Sequence, residues 1–212
     1  MEKKERALAA VAALKELYPD ALCSLDFESP FQLLVATRLS AQCTDARVNM
    51  VTPVLFGKYP DAAAMAQADV ADVENIIHAC GFFRQKAKDI VATAGILVSE
   101  YGGKVPDTIE ALTALPGVGR KTANLIVGDV YGRPAVVADT HLIRISNRLG
   151  LVETNDPYKV ELQLRELLPP EESNNYCHRN VLHGRAVCDA RKPRCGICTL
   201  RGFCAYCEHT KG

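Results

Sequence analysis

The chain has no net charge: Lys+Arg and Asp+Glu both number 25 in its 212 residues. That balance excludes a protein that binds nucleic acid through overall positive charge. No apolar run approaches the ~18 residues that suggest a membrane span, so no membrane partner is expected. The opening segment MEKKERALAAVAALKELYPD lacks the layout of a secretory signal. Its apolar positions Leu8, Val11, Leu14 and Tyr18 instead step by three and four, the pattern of an amphipathic helix. A cytoplasmic location is expected. Also missing are repeats, low-complexity tracts and any convincing alternating strand. PAVVAD (134–139) is too short and too apolar to decide.

What is present is unevenly spread. Residues 61–110 hold eight acidic side chains against four basic ones. Residues 177–212 hold Arg179, Arg185, Arg191, Lys192, Arg194, Arg201 and Lys211 against only Asp189 and Glu208. One anion-facing surface accounts for such a bias, and so does a solvated basic tail. Nine cysteines, five of them within residues 188–207, are many for a cytosolic chain of this size. In a reducing compartment that clustering argues for metal ahead of disulfides.

Helical period runs through 3–18, 30–42, 45–57, 70–79, 84–101, 108–115, 119–131, 140–149, 157–168 and 173–186. The punctuation agrees. Gly102 and Gly103 follow a long helical stretch, Asp107 and Glu110 read as a capping box, and Asp156–Pro157 as N-cap and first helical residue. The fold class is all-α.

Four features carry chemistry. LPGVGRKTA (115–123) joins two helices through Pro116, Gly117 and Gly119. It reads as a plain αα-hairpin, or as a turn whose backbone amides cradle a phosphate without reading sequence. Lys121 comes directly after the turn. A free lysine, with a pKa of about 10.4, is neutral only about once in 2,500 molecules at pH 7. The helix dipole, Arg120 and burial would each raise that fraction, as attack on an electrophilic carbon requires. A phosphate-binding or solvated lysine is the alternative. Asp139, ahead of a helix, suits an N-cap, and equally a carboxylate that stabilises developing positive charge. Cys188, Cys195, Cys198 and Cys204 have the spacing C-x6-C-x2-C-x5-C. Four thiols so close call for a metal, and spacing alone leaves zinc and iron–sulfur both open. His141 and His183 read as interhelical hydrogen bonders ahead of ligands.

LPGVGRKTA resembles the helix-hairpin-helix motif of the endonuclease III family of DNA repair glycosylases. The resemblance continues in order through SPFQLLVATRLSAQCTD, GFFRQKA, ADTH and LHGRAVCDARKPRCGIC. It implies two helical lobes with an interlobe cleft, the hairpin, and a C-terminal [4Fe-4S] cluster loop. Residues 23–134 would form a barrel-like domain ending in the hairpin, and residues 1–22 with 135–212 the cluster domain. It further implies that Lys121 is the Schiff-base lysine, with Asp139 opposite it. Cys188, Cys195, Cys198 and Cys204 would hold the cluster, leaving Cys207 as a spare thiol. Gly117, Gly119 and Arg120 would meet the DNA backbone, and the loop DARKPR would turn Arg191, Lys192 and Arg194 toward it. Gln42 and Phe82 match the elements that fill the hole left by an extruded base; a helix-end polar residue and a core aromatic are their plainer readings.

The implied activity is that of a bifunctional glycosylase and AP lyase, acting as a monomer on oxidised pyrimidines in damaged double-stranded DNA. A mismatch uracil or thymine glycosylase of the same fold, a non-catalytic hairpin module and an electron carrier are the other readings. Relatives that remove adenine by hydrolysis place a carboxylate in the helix after PF; here Thr37 stands at that position and PFQLLVATRLSAQ holds no acid. Two departures stand out. Phe82 replaces the usual leucine, and YCHRNVLHGR is one residue shorter than the usual segment. Inside a helix, a one-residue deletion rotates the residues beyond it by ~100°.

Overall fold

A computed structural model describes residues 1–209 and, among them, contains helices and no strand. Lys211 of the basic tail lies outside the described residues. The α-helices are α1 (Lys3–Leu17), α2 (Pro30–Ser40), α3 (Asp45–Lys58), α4 (Ala62–Ala66), α5 (Val70–Ile76), α6 (Phe83–Tyr101), α7 (Ile109–Thr113), α8 (Arg120–Asp129), α9 (Thr140–Leu149), α10 (Pro157–Leu167), α11 (Ser173–Ala186) and α12 (Ala205–His209). The all-α reading holds. The chain divides into two compact units, Cys23–Tyr131 and Met1–Leu22 together with the chain from Gly132 onward.

In the first unit, α2 is the central element and packs on α3, α6 and α8. Its sequence explains this. Ser29 caps it by accepting the Gln32 amide at 3.2 Å, Pro30 opens it, and Phe31, Leu33, Leu34, Val35, Ala36 and Leu39 are all buried. A helix apolar on every side belongs in a core. Thr44, Asp61 and Asp69 cap α3, α4 and α5 by the same side-chain chemistry. The capping box expected at Asp107 and Glu110 gives way to a simple cap one residue on: Thr108 is the N-cap of α7, its hydroxyl accepting the Ala111 amide at 3.3 Å. The five-residue α4 has no counterpart in the sequence reading, because AAAMA is too short for its period to show.

In the second unit, α11 packs on α9 and α1, and α9 on α12. Asp156 and Pro157 open α10 as expected, with the Asp156 carboxylate accepting the Lys159 amide at 3.0 Å. PAVVAD is not a strand. Ala135 to Ala138 run buried and without regular structure into Asp139. The shortened segment YCHRNVLHGR lies within α11, which is continuous.

Arg179, counted by sequence with the basic tail, is a core residue. It is 3% exposed and donates to Glu172 at 2.6 Å. Glu172 also accepts from Lys15. Both hydrogen bonds lower the Glu172 pKa below the usual carboxylate range. A depressed folded-state pKa contributes stability that is complete above the unfolded value, about 4.3, and is lost as pH falls through the folded one. Glu172→Gln, which leaves Arg179 buried without its anion, should therefore lower stability by about 3 kcal/mol near neutral pH. The gap to the parent chain should narrow as pH falls below about 4. Denaturant melts of both proteins at matched pH check this, and a gap independent of pH contradicts it.

Candidate active site

The turn LPGVGRK is built against an ion pair. Gly117 has φ +70°, a left-handed conformation that L side chains rarely adopt. A Cβ there would fall 2.6 Å from Asp89 Oδ2 and closer still to Arg38 Nε. Those two atoms belong to the pair beneath the turn: Arg38 on α2 donates to Asp89 on α6 through Nε at 2.9 Å and Nη2 at 2.5 Å. Gln85 donates to the other Asp89 oxygen at 2.8 Å, and Thr93 donates to the Pro116 carbonyl at 3.1 Å. Leu112, Leu115 and Val118 anchor the hairpin from inside. α8 then starts at Arg120. Its N-cap, Gly119, has no side chain to accept a first-turn amide, the situation in which a helix N-terminus receives an anion.

Lys121 is the second residue of α8, so its amine extends from the positive end of a helix. It is exposed, so the burial named among the influences on its amine is not present. Arg120 is half-buried beside it, its carbonyl accepting from Asn124 at 3.1 Å. Gln42 and Phe82 are both exposed, Phe82 to 70%, which removes the core-aromatic reading of Phe82. Gln42 lies beyond the end of α2 in a turn, not in the helix. Thr37 is buried and donates back to the Leu34 carbonyl at 2.8 Å.

In the other unit, Asp139 is the N-cap of α9 and accepts the Leu142 amide at 2.7 Å. The same helix holds the cysteine loop. Arg144 donates to the Cys188 carbonyl through Nε at 3.2 Å and Nη2 at 2.9 Å. Arg148, one turn on, donates to the carbonyls of Asp189 and Ala190 at 2.7 and 2.8 Å and to Cys188 Sγ at 3.2 Å. Asp189 closes the loop by accepting the amides of Arg191 and Lys192 at 2.8 and 2.9 Å, which lowers its pKa. Arg191 and Lys192 are exposed. Arg194, also exposed, turns its guanidinium back onto the Ala186 carbonyl at the end of α11.

The thiols of Cys188, Cys195, Cys198 and Cys204 are close enough to interact electrostatically. Burial and the other three cysteines all push the Cys198 thiol up, so four thiolates here need cations between them. Among the described residues no three His, Cys, Asp or Glu side chains converge as ligands of a single metal ion. Two nitrogens face the sulfurs: Arg148, which donates to Cys188 Sγ, and Nε2 of the fully buried His183, 3.5 Å from Cys198 Sγ. Cys207, the spare thiol of the sequence reading, is buried and close enough to Cys195 and Cys204 to interact with them. His141 meets Arg144 Nη2 at 3.1 Å, an interaction within α9.

Residues 35–170 match the model of the HhH-GPD superfamily base excision DNA repair proteins, and residues 188–204 that of the iron-sulfur binding domain of endonuclease III. Endonuclease III of Synechocystis sp. is 51% identical over 203 residues, covering 95% of this chain and 93% of that one. Endonuclease III of Escherichia coli (strain K12) is 40% identical over 205 residues, 97% of each chain. The chain belongs to the endonuclease III family.

It is thus an enzyme of base excision repair, a DNA glycosylase with a [4Fe-4S] cluster, and the cysteine loop fits that group in both its thiols and its donors. Solved structures of a non-covalent endonuclease III–DNA complex and of a trapped endonuclease III–DNA covalent intermediate both align with TM-score 0.92 at 38% identity. They cover 99% of this chain and 98% and 99% of their own. A thermostable thymine-DNA glycosylase, at TM-score 0.87 and 22% identity, shares the fold. The sequence reading missed Arg38, Asp89, Arg144 and Arg148. The signal was present: Arg38 is the one charged residue of α2, and Arg144 and Arg148 are four apart on α9, hence on one face.

The two hairpin glycines should respond differently to alanine. Gly119 has φ −90° and open space at its Cβ, so Gly119→Ala should lose no more than about 1 kcal/mol, the N-cap preference for Gly over Ala. Gly117→Ala meets both backbone strain and the Arg38–Asp89 pair and should lose about 2 kcal/mol or more. Denaturant melts decide, and equal effects contradict the geometry. At the other site, Arg148→Met keeps the side-chain stem and removes the donors; it should speed cluster loss to a chelator, monitored by visible absorbance and iron per chain. Unchanged loss rates contradict the role given to Arg148.

Proposed function

We propose that this glycosylase is bifunctional, releasing oxidised pyrimidines from duplex DNA and nicking the strand through an imine on Lys121. The observation that carries the reading is the placement of Lys121. It is an exposed amine in the first turn of α8, two residues beyond a glycine turn seated on the Arg38–Asp89 pair. Turn and helix amides near it are positioned to accept a phosphate, which would fix the strand that the amine attacks.

The chemistry proceeds in balanced steps. The damaged nucleotide leaves the stack, with Gln42 and Phe82 filling the vacancy. The neutral Lys121 amine attacks C1′ of the deoxyribose, and the glycosidic bond breaks with its electron pair leaving on the protonated base. The Asp139 carboxylate, held by its Leu142 hydrogen bond, takes the proton that the amine sheds and stabilises positive charge on the opening sugar. The C1′–O4′ bond then breaks, its electron pair leaving on O4′ as that oxygen gains a proton, and the open sugar is an iminium that acidifies C2′. A base takes the C2′ proton, the C2′–C3′ double bond forms, and the C3′–O bond breaks to release the 3′ phosphate. The cluster, when bound, cross-links four thiolates and takes no part in these steps. Arg191 and Lys192 on its loop contact the DNA backbone, a contribution that weakens with added salt. The protein acts as a monomer.

Borohydride added during reaction with a duplex carrying one oxidised pyrimidine should link protein to DNA. Lys121→Gln should abolish that link and lower base release by about 10³-fold or more while duplex binding persists. Asp139→Asn keeps a competent N-cap and should lower turnover about 10²–10⁴-fold without changing the melting temperature much. A borohydride adduct that survives Lys121→Gln overturns the assignment. A panel of duplexes with single defined lesions, mismatched uracil and thymine included, tests the oxidised-pyrimidine preference.

A further inference from the structure

Gln42 and Phe82 are the non-glycine residues with left-handed backbone among those described, at φ 54° and 57°. Such conformations cost roughly 1–2 kcal/mol each, so something beneath holds them. The two turns are neighbours: a Cβ on Gly81, next to Phe82, would lie 3.8 Å from the Gln42 carbonyl oxygen. Each turn carries a cysteine, Cys43 directly after Gln42 and Cys80 two residues before Phe82. The Cys80 thiol is close enough to that of Cys43 for the two to interact. Backbone bonds hold both in place, Cys43 N to the Ser40 carbonyl at 3.0 Å and Cys80 N to the Ile77 carbonyl at 2.8 Å.

The surroundings of the pair are unusual for structural cysteines. Lys86 is 1% exposed, donates to the Leu39 carbonyl at 2.7 Å, and interacts electrostatically with both sulfurs. Cys80 is fully buried, and burial pushes its thiol up to about 11. Cys43 is half-buried and so within reach of solvent. An accessible thiol with a second one on the adjoining turn, beside a buried ammonium, is the arrangement of a sensing and a resolving cysteine.

We propose that Cys43 and Cys80 form an oxidation site, which takes a peroxide or a small-molecule disulfide as oxidant and closes into a reversible disulfide joining the two turns. With a peroxide, the Cys43 sulfur attacks one oxygen, the O–O bond breaks and water leaves, so Cys43 becomes a sulfenic acid. The Cys80 sulfur then attacks Cys43 sulfur, the S–O bond breaks and a second water leaves. Two thiols are oxidised and one peroxide is reduced to two waters. With a small disulfide, two successive exchanges release two small thiols.

The consequence rests on the reading of Gln42 and Phe82 as the residues that enter the vacated stack. Disulfide closure fixes the sulfurs about 2.05 Å apart and draws the turns together. Tips displaced by that much no longer match the vacancy, so the oxidised protein binds lesion duplex less tightly.

The test uses the full chain with its cluster, poised in glutathione buffers of increasing oxidation while cluster absorbance is monitored. Thiols are alkylated, the protein is digested, and peptides are identified by mass spectrometry. A linked Cys43–Cys80 peptide is expected, together with an about tenfold loss of lesion-duplex affinity that dithiothreitol restores. Cys43→Ser and Cys80→Ala should each keep full affinity under oxidation. No linked peptide in the most oxidising buffer overturns the proposal, and so does a linked peptide with unchanged affinity. Borohydride trapping by the reduced protein reports separately on Lys121, so failure here is distinguishable from failure of the lyase reading.

Discussion

The Arg38–Asp89 pair is what the hairpin stands on. Arg38 projects from the central α2 and Asp89 from α6, and the fork of hydrogen bonds between them lies directly under Gly117. A charged pair only partly open to water, with side-chain exposures of 18% and 12%, is held more rigidly than a surface pair because both partners are also packed. Asp89 is fixed further by Gln85 and the turn by Thr93. Two helices, α2 and α6, thus determine where the turn amides point and where α8 begins. Lys121 inherits its position from them.

A comparable logic runs through the cluster unit. α9 carries Asp139 at its first end, and Arg144 and Arg148 along its length fasten the start of the cysteine loop. The four thiolates and the cluster close that loop, while Asp189 folds it through the Arg191 and Lys192 amides. One helix therefore positions a carboxylate and braces a metal loop at once. A structural role suffices for the cluster in this arrangement, because the loop that carries its thiols is braced on the same helix that presents Asp139.

Much of this was legible in the residues. Caps are local chemistry, so Asp139, Asp156 with Pro157, and Gly102 marked helix ends that the structure reproduces. The cysteine spacing and the hairpin motif pointed to the family through resemblance, since neither periodicity nor charge balance would have done so. What stayed hidden depends on distant parts of the chain. Arg38 and Asp89 are 51 residues apart, and nothing local announces that they meet under a glycine. Arg179 looked like part of a basic surface because Glu172, and the Lys15 that shares its carboxylate, become neighbours only on folding. The left-handed turns at Gln42 and Phe82 defied the residue types, which do not favour that conformation. Local rules fail there because tertiary contacts override them, as at Cys43, Cys80 and Lys86.

The central claim is that one amine, placed by the glycine turn, forms the covalent link to DNA. Its most direct test is to digest the borohydride-reduced protein–DNA adduct and sequence the peptide that carries the sugar by mass spectrometry. The account predicts that the modified residue is Lys121, within the peptide that spans the start of α8. The sugar on any other lysine, or on the chain's amino terminus, would contradict it.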